Sequence, residues 1–163
     1  MKPDFSKFGM KAVMMGLLFC AQKNLRQDGY ITPFVFLLKE VRGLQVMTPV
    51  LMDFSDDITK RVSTAMVKAM MAMEKIDAYI MVTEAWMATV DKGEPIGVLP
   101  VKARDDKQEG ICLSAGTPML SLSLTQVFHR AENGNGPKFE FEEEVFCDSN
   151  DSVFYPEHWK NKN

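Results

Sequence analysis

Residues 119–146, MLSLSLTQVFHRAENGNGPKFEFEEEVF, decide the fold. Asn133-Gly134-Asn135-Gly136-Pro137 divides the stretch, and glycine and asparagine supply the left-handed backbone that a tight connection between strands needs. Before it, over Met119–Arg130, Leu122, Leu124 and Phe128 alternate with Ser123, Thr125 and His129. After it, over Lys138–Phe146, Phe139, Phe141 and Val145 alternate with Glu140, Glu142 and Glu144. A period of two is that of a strand with one apolar face. Matching the apolar faces sets Phe128 opposite Phe141, and hence His129 opposite Glu140 with Glu142 diagonal to it. A slip of one residue would turn both apolar rows to water.

Working outward, Tyr79–Met87 and Gly110–Ala115 read as strands, as do Ile31–Leu38 and Leu44–Asp53, the latter pair joined at Arg42-Gly43. Residues 4–25 read as a helix apolar nearly all round, which implies contacts on more than one side. Ser55-Asp56-Asp57 opens a second helix with a cap and negative charge for its positive end. Along it Ile58, Val62, Ala65, Met66, Ala69, Met73 and Ile76 form the stripe expected to face the sheet. Val67 and Met71 fall on the opposite side. Unless the first helix or a loop covers them, they form a subunit contact in a homo-oligomer. The expected architecture is α+β: about six strands in a largely antiparallel sheet, two main helices packed on one face. One domain spans residues 1–163, with 148–163 a tail, aromatic at Phe154, Tyr155 and Trp159, lying along it.

With 163 residues, 46% of them hydrophobic, the chain can build a core without disulfides or metals. A net charge of -3 argues against direct, phosphate-led nucleic-acid binding. Cys20, Cys112 and Cys147 are too scattered for a disulfide framework or zinc site, so free thiols in a reducing compartment are expected. Lys2, Lys7 and Lys11 before the run Ala12–Ala21 have the order of a signal peptide. Asp4 in the basic region and Phe19 near the cleavage position favour a buried helix instead. The run is too short to span a membrane. The expectation is a cytoplasmic protein with no cofactor and no metal.

Chemistry could sit in three places. Strand alternation puts Glu84 on the row of Ile80, Val82 and Trp86, where a carboxylate needs a partner such as Arg104 or a lysine, or serves as a proton donor or base. The Gly- and Pro-rich loop from Ala88 to Glu109 could complete such a site. His129 with Glu140 and Glu142 could bind a ligand, although a row of Ser, Thr and Glu is also what a solvated sheet face looks like. The acidic end (Glu140, Glu142, Glu143, Glu144, Asp148, Asp151 and Glu157) could receive a basic protein partner. The serine elbow, Walker loop, dinucleotide fingerprint and H-E-x-x-H motif are all missing.

Asp28-Gly29 followed by Pro33, the triplet Glu84-Ala85-Trp86, and Arg104 with Glu109 resemble a loose group of uncharacterised bacterial and phage proteins. In these an initial helix and an acidic-Gly turn precede a strand ending in a Glu-Ala-Trp-like triplet, a polar loop and a final hairpin. The Gly- and Pro-rich stretch after Trp86 departs from that pattern. The resemblance implies no activity; it directs attention to Asp28, Glu84 and Arg104. The leading expectation is a non-catalytic interaction or accessory protein of the bacterial or phage cytoplasm. The alternatives are a small enzyme with its site near Glu84 and the 88–109 loop, and an acidic inhibitor that mimics nucleic acid.

Overall fold

A computed structural model describes residues 5–88, 101–133, 136–148, 154 and 156–162. Helix α1 (Lys7–Asp28) starts where the Ser6 hydroxyl accepts the Gly9 N–H and stops at Gly29, whose φ of 82° sends its own N–H to the Leu25 carbonyl. Strands β1 (Phe34–Val41) and β2 (Leu44–Leu51) are joined by Arg42 and Gly43, with φ of 52° and 79°. Two left-handed residues between paired strands make the turn whose twist matches a hairpin. Helix α2 (Asp57–Glu74) opens with a capping box: the Asp56 carboxylate accepts the Ile58 and Thr59 N–H groups, and the Thr59 hydroxyl accepts the Asp56 N–H.

Strands β3 (Ala78–Met87), β4 (Gln108–Gly116), β5 (Ser121–Asn133), β6 (Gly136–Phe141) and β7 (Val145–Asp148) complete an antiparallel sheet of order β2-β1-β3-β4-β5-β6, with β7 also on β5. The α+β class and antiparallel sheet are those expected. Phe128 pairs with Phe141 and His129 with Glu140, the register read from the hairpin. The expected last strand is broken at Glu142–Glu144 into β6 and β7. The break flips the alternation, so Phe146 packs inward while Val145 is exposed, contrary to the sequence pattern.

The helices do not share a face. Met10, Met14, Leu18, Ala21 and Leu25 of α1 pack with Leu38, Ile80, Val82, Ile111, Leu113, Leu124 and Phe128. Val67 and Met71 of α2 pack with Val35, Leu37 and Tyr79, whose side chains project from the other side of β1 and β3. The cause is legible in those strands: Phe34–Leu38 and Ala78–Val82 are apolar at consecutive positions, so both faces require cover. β5 alternates, with only the α1 face buried. Phe154 and Trp159 complete the α2 side. Trp159 stacks on Tyr79 at 6.2 Å and donates its indole N–H to the Ile76 carbonyl at 2.8 Å, so the tail is part of the core.

A second correction concerns α2 itself. Val67 and Met71, expected at a subunit contact, are fully buried, whereas Ile58 is 75% exposed, Val62 63% and Met73 80%. The helix is turned about half a revolution from the expected face. The Ser63 hydroxyl, bonded to the backbone N–H and carbonyl of Asp53, holds its side inward, and Val67 and Met71 follow at helical spacing. α1 likewise buries one side only: Phe8, Met15 and Phe19 are exposed, and a Cβ at Gly16 would meet nothing within 4 Å. Among the described residues no helix is long and apolar enough to cross a membrane.

Edge strand β2 carries a proline. The Met52 N–H donates to the Pro33 carbonyl, so bonded pairs fall at alternate positions from there, and Pro49, opposite Phe36, lies between them. Its nitrogen points away from β1, to the open side of the sheet.

Candidate functional site

Glu84 does occupy the α1 face of β3, and its partner is Arg130. The guanidinium is gripped from three directions. Nη2 donates to Glu84 Oε1 at 2.7 Å, Nε to Glu109 Oε2 at 2.9 Å, and Nη1 to the Gly29 carbonyl at 2.6 Å. The second Glu84 oxygen accepts the Ile31 N–H at 3.1 Å. Phe128 and Phe139 lie 5.3 and 5.2 Å from the guanidinium carbon, within the range of cation–π attraction. Partial burial works against the charge, but hydrogen bonding and attraction to Glu109 and then Glu84 outweigh it and hold the Arg130 pKa above its ordinary value. A depression of about 170 Å³ opens beside the cluster, lined by Glu84, Ala85, Trp86 and Glu109. Both carboxylates are committed to Arg130. What they accomplish is to fasten the turn after α1 to β3, β4 and β5.

The other residues read from the sequence are placed as follows. Arg104 pairs with Asp106 at 2.7 Å rather than with Glu84, which corrects the expected ion pair. Asp28 is exposed, and it is the carbonyl of Gly29 that joins the cluster. Arg130 was missed, although it continues the even-numbered row Leu122, Leu124, Phe128; a cation on an apolar row answers a carboxylate on the facing one. Of the 88–109 loop, residues 89–100 lie outside those described, as do Asn150, Asp151 and Tyr155 of the tail and Lys2 and Asp4 of the start. Burial pushes the Cys112 thiol up to about 11, which keeps it protonated near neutral pH, and it donates to Met87 Sδ at 3.5 Å.

On the opposite sheet face His129 Nε2 lies 2.7 Å from Glu142 Oε1, while Glu140, directly across, lies 3.6 Å from Lys138. All four side chains are at least half exposed, the solvated row anticipated as the plain reading. Among the described residues no three His, Cys, Asp or Glu gather to hold a metal ion.

The outer side of α2 is the remaining feature. Ile58, Val62, Met66 and Met73 stand out of the surface with Ala65 and Ala69 between them. Beside that row runs a groove of about 490 Å³ lined by Asp57, Lys60, Arg61, Thr64, Ala65 and Lys68. Lys60 lies 5.5 Å from the Phe54 ring, whereas Arg61 and Lys68 form no ion pair with a described residue. An apolar row flanked by unpaired cations can adhere to a surface that is apolar and acidic. No protein-family model, curated protein or solved structure matches the chain.

Proposed function

We propose that the chain is a non-catalytic interaction protein that self-associates, and that the outer side of α2 is its contact surface. The observation that carries this reading is the rotation of α2, which leaves its most regular apolar stripe in water. A contiguous apolar patch on a surface, when large enough, is a mark of an interaction site. The homo-oligomer expected from the sequence rested on Val67 and Met71, which are buried; the proposal made here rests instead on Ile58, Val62, Met66 and Met73.

Light scattering behind size exclusion, from about 1 to 100 µM, tests it, because association must follow mass action. The wild type should form a species larger than one chain. Val62→Asp with Met73→Asp should give a monomer whose circular dichroism spectrum matches that of the wild type. A strictly monomeric wild type across that range overturns self-association.

One observation favours a second reading, catalysis at the Glu84 depression: it brings two carboxylates beside the half-exposed Trp86. The occupied geometry of both carboxylates opposes it. Glu84→Gln that retains the fold and abolishes a measured activity is the result that would reinstate it.

A further inference from the structure

The α2 groove and the acidic bend lie at separate ends of the molecule. α2 covers β1 and β3, close to the β2 edge, whereas Glu142–Glu144 joins β6 to β7 at the other edge. From β3 to β6 there are three strand spacings, about 14 Å at roughly 4.8 Å each. Among the described residues no ion pair joins the two surfaces of one chain.

Their chemistry is complementary. The groove presents Lys60, Arg61 and Lys68, with Asp57 its one acidic residue, next to the apolar row Ile58, Val62 and Met66. The bend presents Glu142 and Glu143 exposed, Glu144 half-buried, then Val145, 53% exposed. Glu143 and Glu144 form no ion pair with a described residue. The bend is also held ready: the Glu142 N–H donates to the Val127 carbonyl at 2.9 Å, and its carbonyl accepts from Gln126 Nε2 at 2.8 Å. These bonds fix the backbone at Glu142, which lowers the ordering cost of docking there.

We infer that the α2 groove of one copy receives the Glu142–Glu144 bend of the next, with Val145 against the apolar row. The inference rests on the self-association proposed above and adds its mode. Groove and bend are different surfaces, so the contact is head-to-tail and closes into a ring or grows as an open chain. A basic protein partner for the acidic end, expected from the sequence, is here a second copy of the same chain.

Charge reversal tests it. Arg61→Glu with Lys68→Glu gives one variant, and Glu143→Lys with Glu144→Lys another; circular dichroism confirms that each is folded. Each alone should associate at least about tenfold more weakly than wild type. A one-to-one mixture should recover association, because each reversed surface then meets its complement. Wild-type association should also weaken as salt rises from about 0.05 to 0.5 M. Wild-type-like assembly of both reversed variants overturns the head-to-tail mode and leaves α2 self-association standing if Val62→Asp with Met73→Asp still dissociates it. Loss of association in the separate variants without recovery in the mixture also overturns the mode. A monomeric wild type overturns both.

Discussion

The orientation of α2 governs everything proposed for this protein, and two methionines on the same helix measure it. Met71 is fully buried among Val35, Tyr79 and Trp159, whereas Met73 is 80% exposed. Met71→Ala loses the transfer free energy of a thioether side chain and leaves a cavity that a sheet-backed site cannot fully collapse. Together these cost about 3 kcal/mol, within the usual range for such truncations. At roughly 2–4 °C per kcal/mol for a domain of this size, the thermal midpoint should fall by about 6–12 °C. Met73→Ala removes a side chain that touches mostly water and introduces the best helix former, so its effect should stay within about 0.5 kcal/mol. Urea denaturation followed by circular dichroism reads both, at a concentration low enough to dissociate any oligomer, since assembly adds to apparent stability. Equal losses from the two variants, or a larger loss from Met73→Ala, would refute the assigned face and with it the contact surface.

Two other perturbations have definite outcomes. Arg130→Met strands Glu84 and Glu109, each about a quarter exposed, and after discounting for the solvent that reaches one third of Arg130, urea midpoints should show a loss of about 2 kcal/mol. Adding Glu84→Gln and Glu109→Gln should return part of that loss; a triple variant weaker than the single one would contradict the clamp. For Cys112 the folded thiol titrates near 11 against an ordinary 9.0, so its contribution is complete below pH 9 and is lost as pH climbs towards 11. Stability should drop there by about 2 kcal/mol more in the wild type than in Cys112→Ala, and parallel pH profiles would exclude the effect. At neutral pH, mass spectrometry should find thiol reagents on the exposed Cys20 and Cys147 well before Cys112.

What the sequence disclosed depended on how many physical constraints met at each position. The register Phe128–Phe141 was legible because two alternating strands and a Gly-Asn connection admit only one match. The Arg42-Gly43 hairpin was equally constrained. The sidedness of the helices was written in the unbroken apolar runs of β1 and β3, but alternation in the final hairpin drew attention to one-sided burial. For α2 the hydrophobic pattern pointed the wrong way, because both of its sides are apolar and the choice falls to hydrogen bonds from Ser63 to Asp53, a contact ten residues distant. Glu84 was correctly singled out as needing a cation. That the cation is Arg130 depends on β4 lying between β3 and β5, an arrangement no local pattern contains.

Pro49 bears on how copies of this chain can and cannot join. β2 is a margin with Leu44, Val46, Met47 and Leu51 open to water, a composition that invites foreign backbone to extend the sheet. At Pro49 the outward position lacks the hydrogen an incoming strand would have to find, so a continuous ladder is interrupted midway. Recruitment along the β2 margin is thereby discouraged, so a contact between copies through side-chain surfaces, as proposed, has no competitor there in the self-templating union of backbones, which often cannot dissociate.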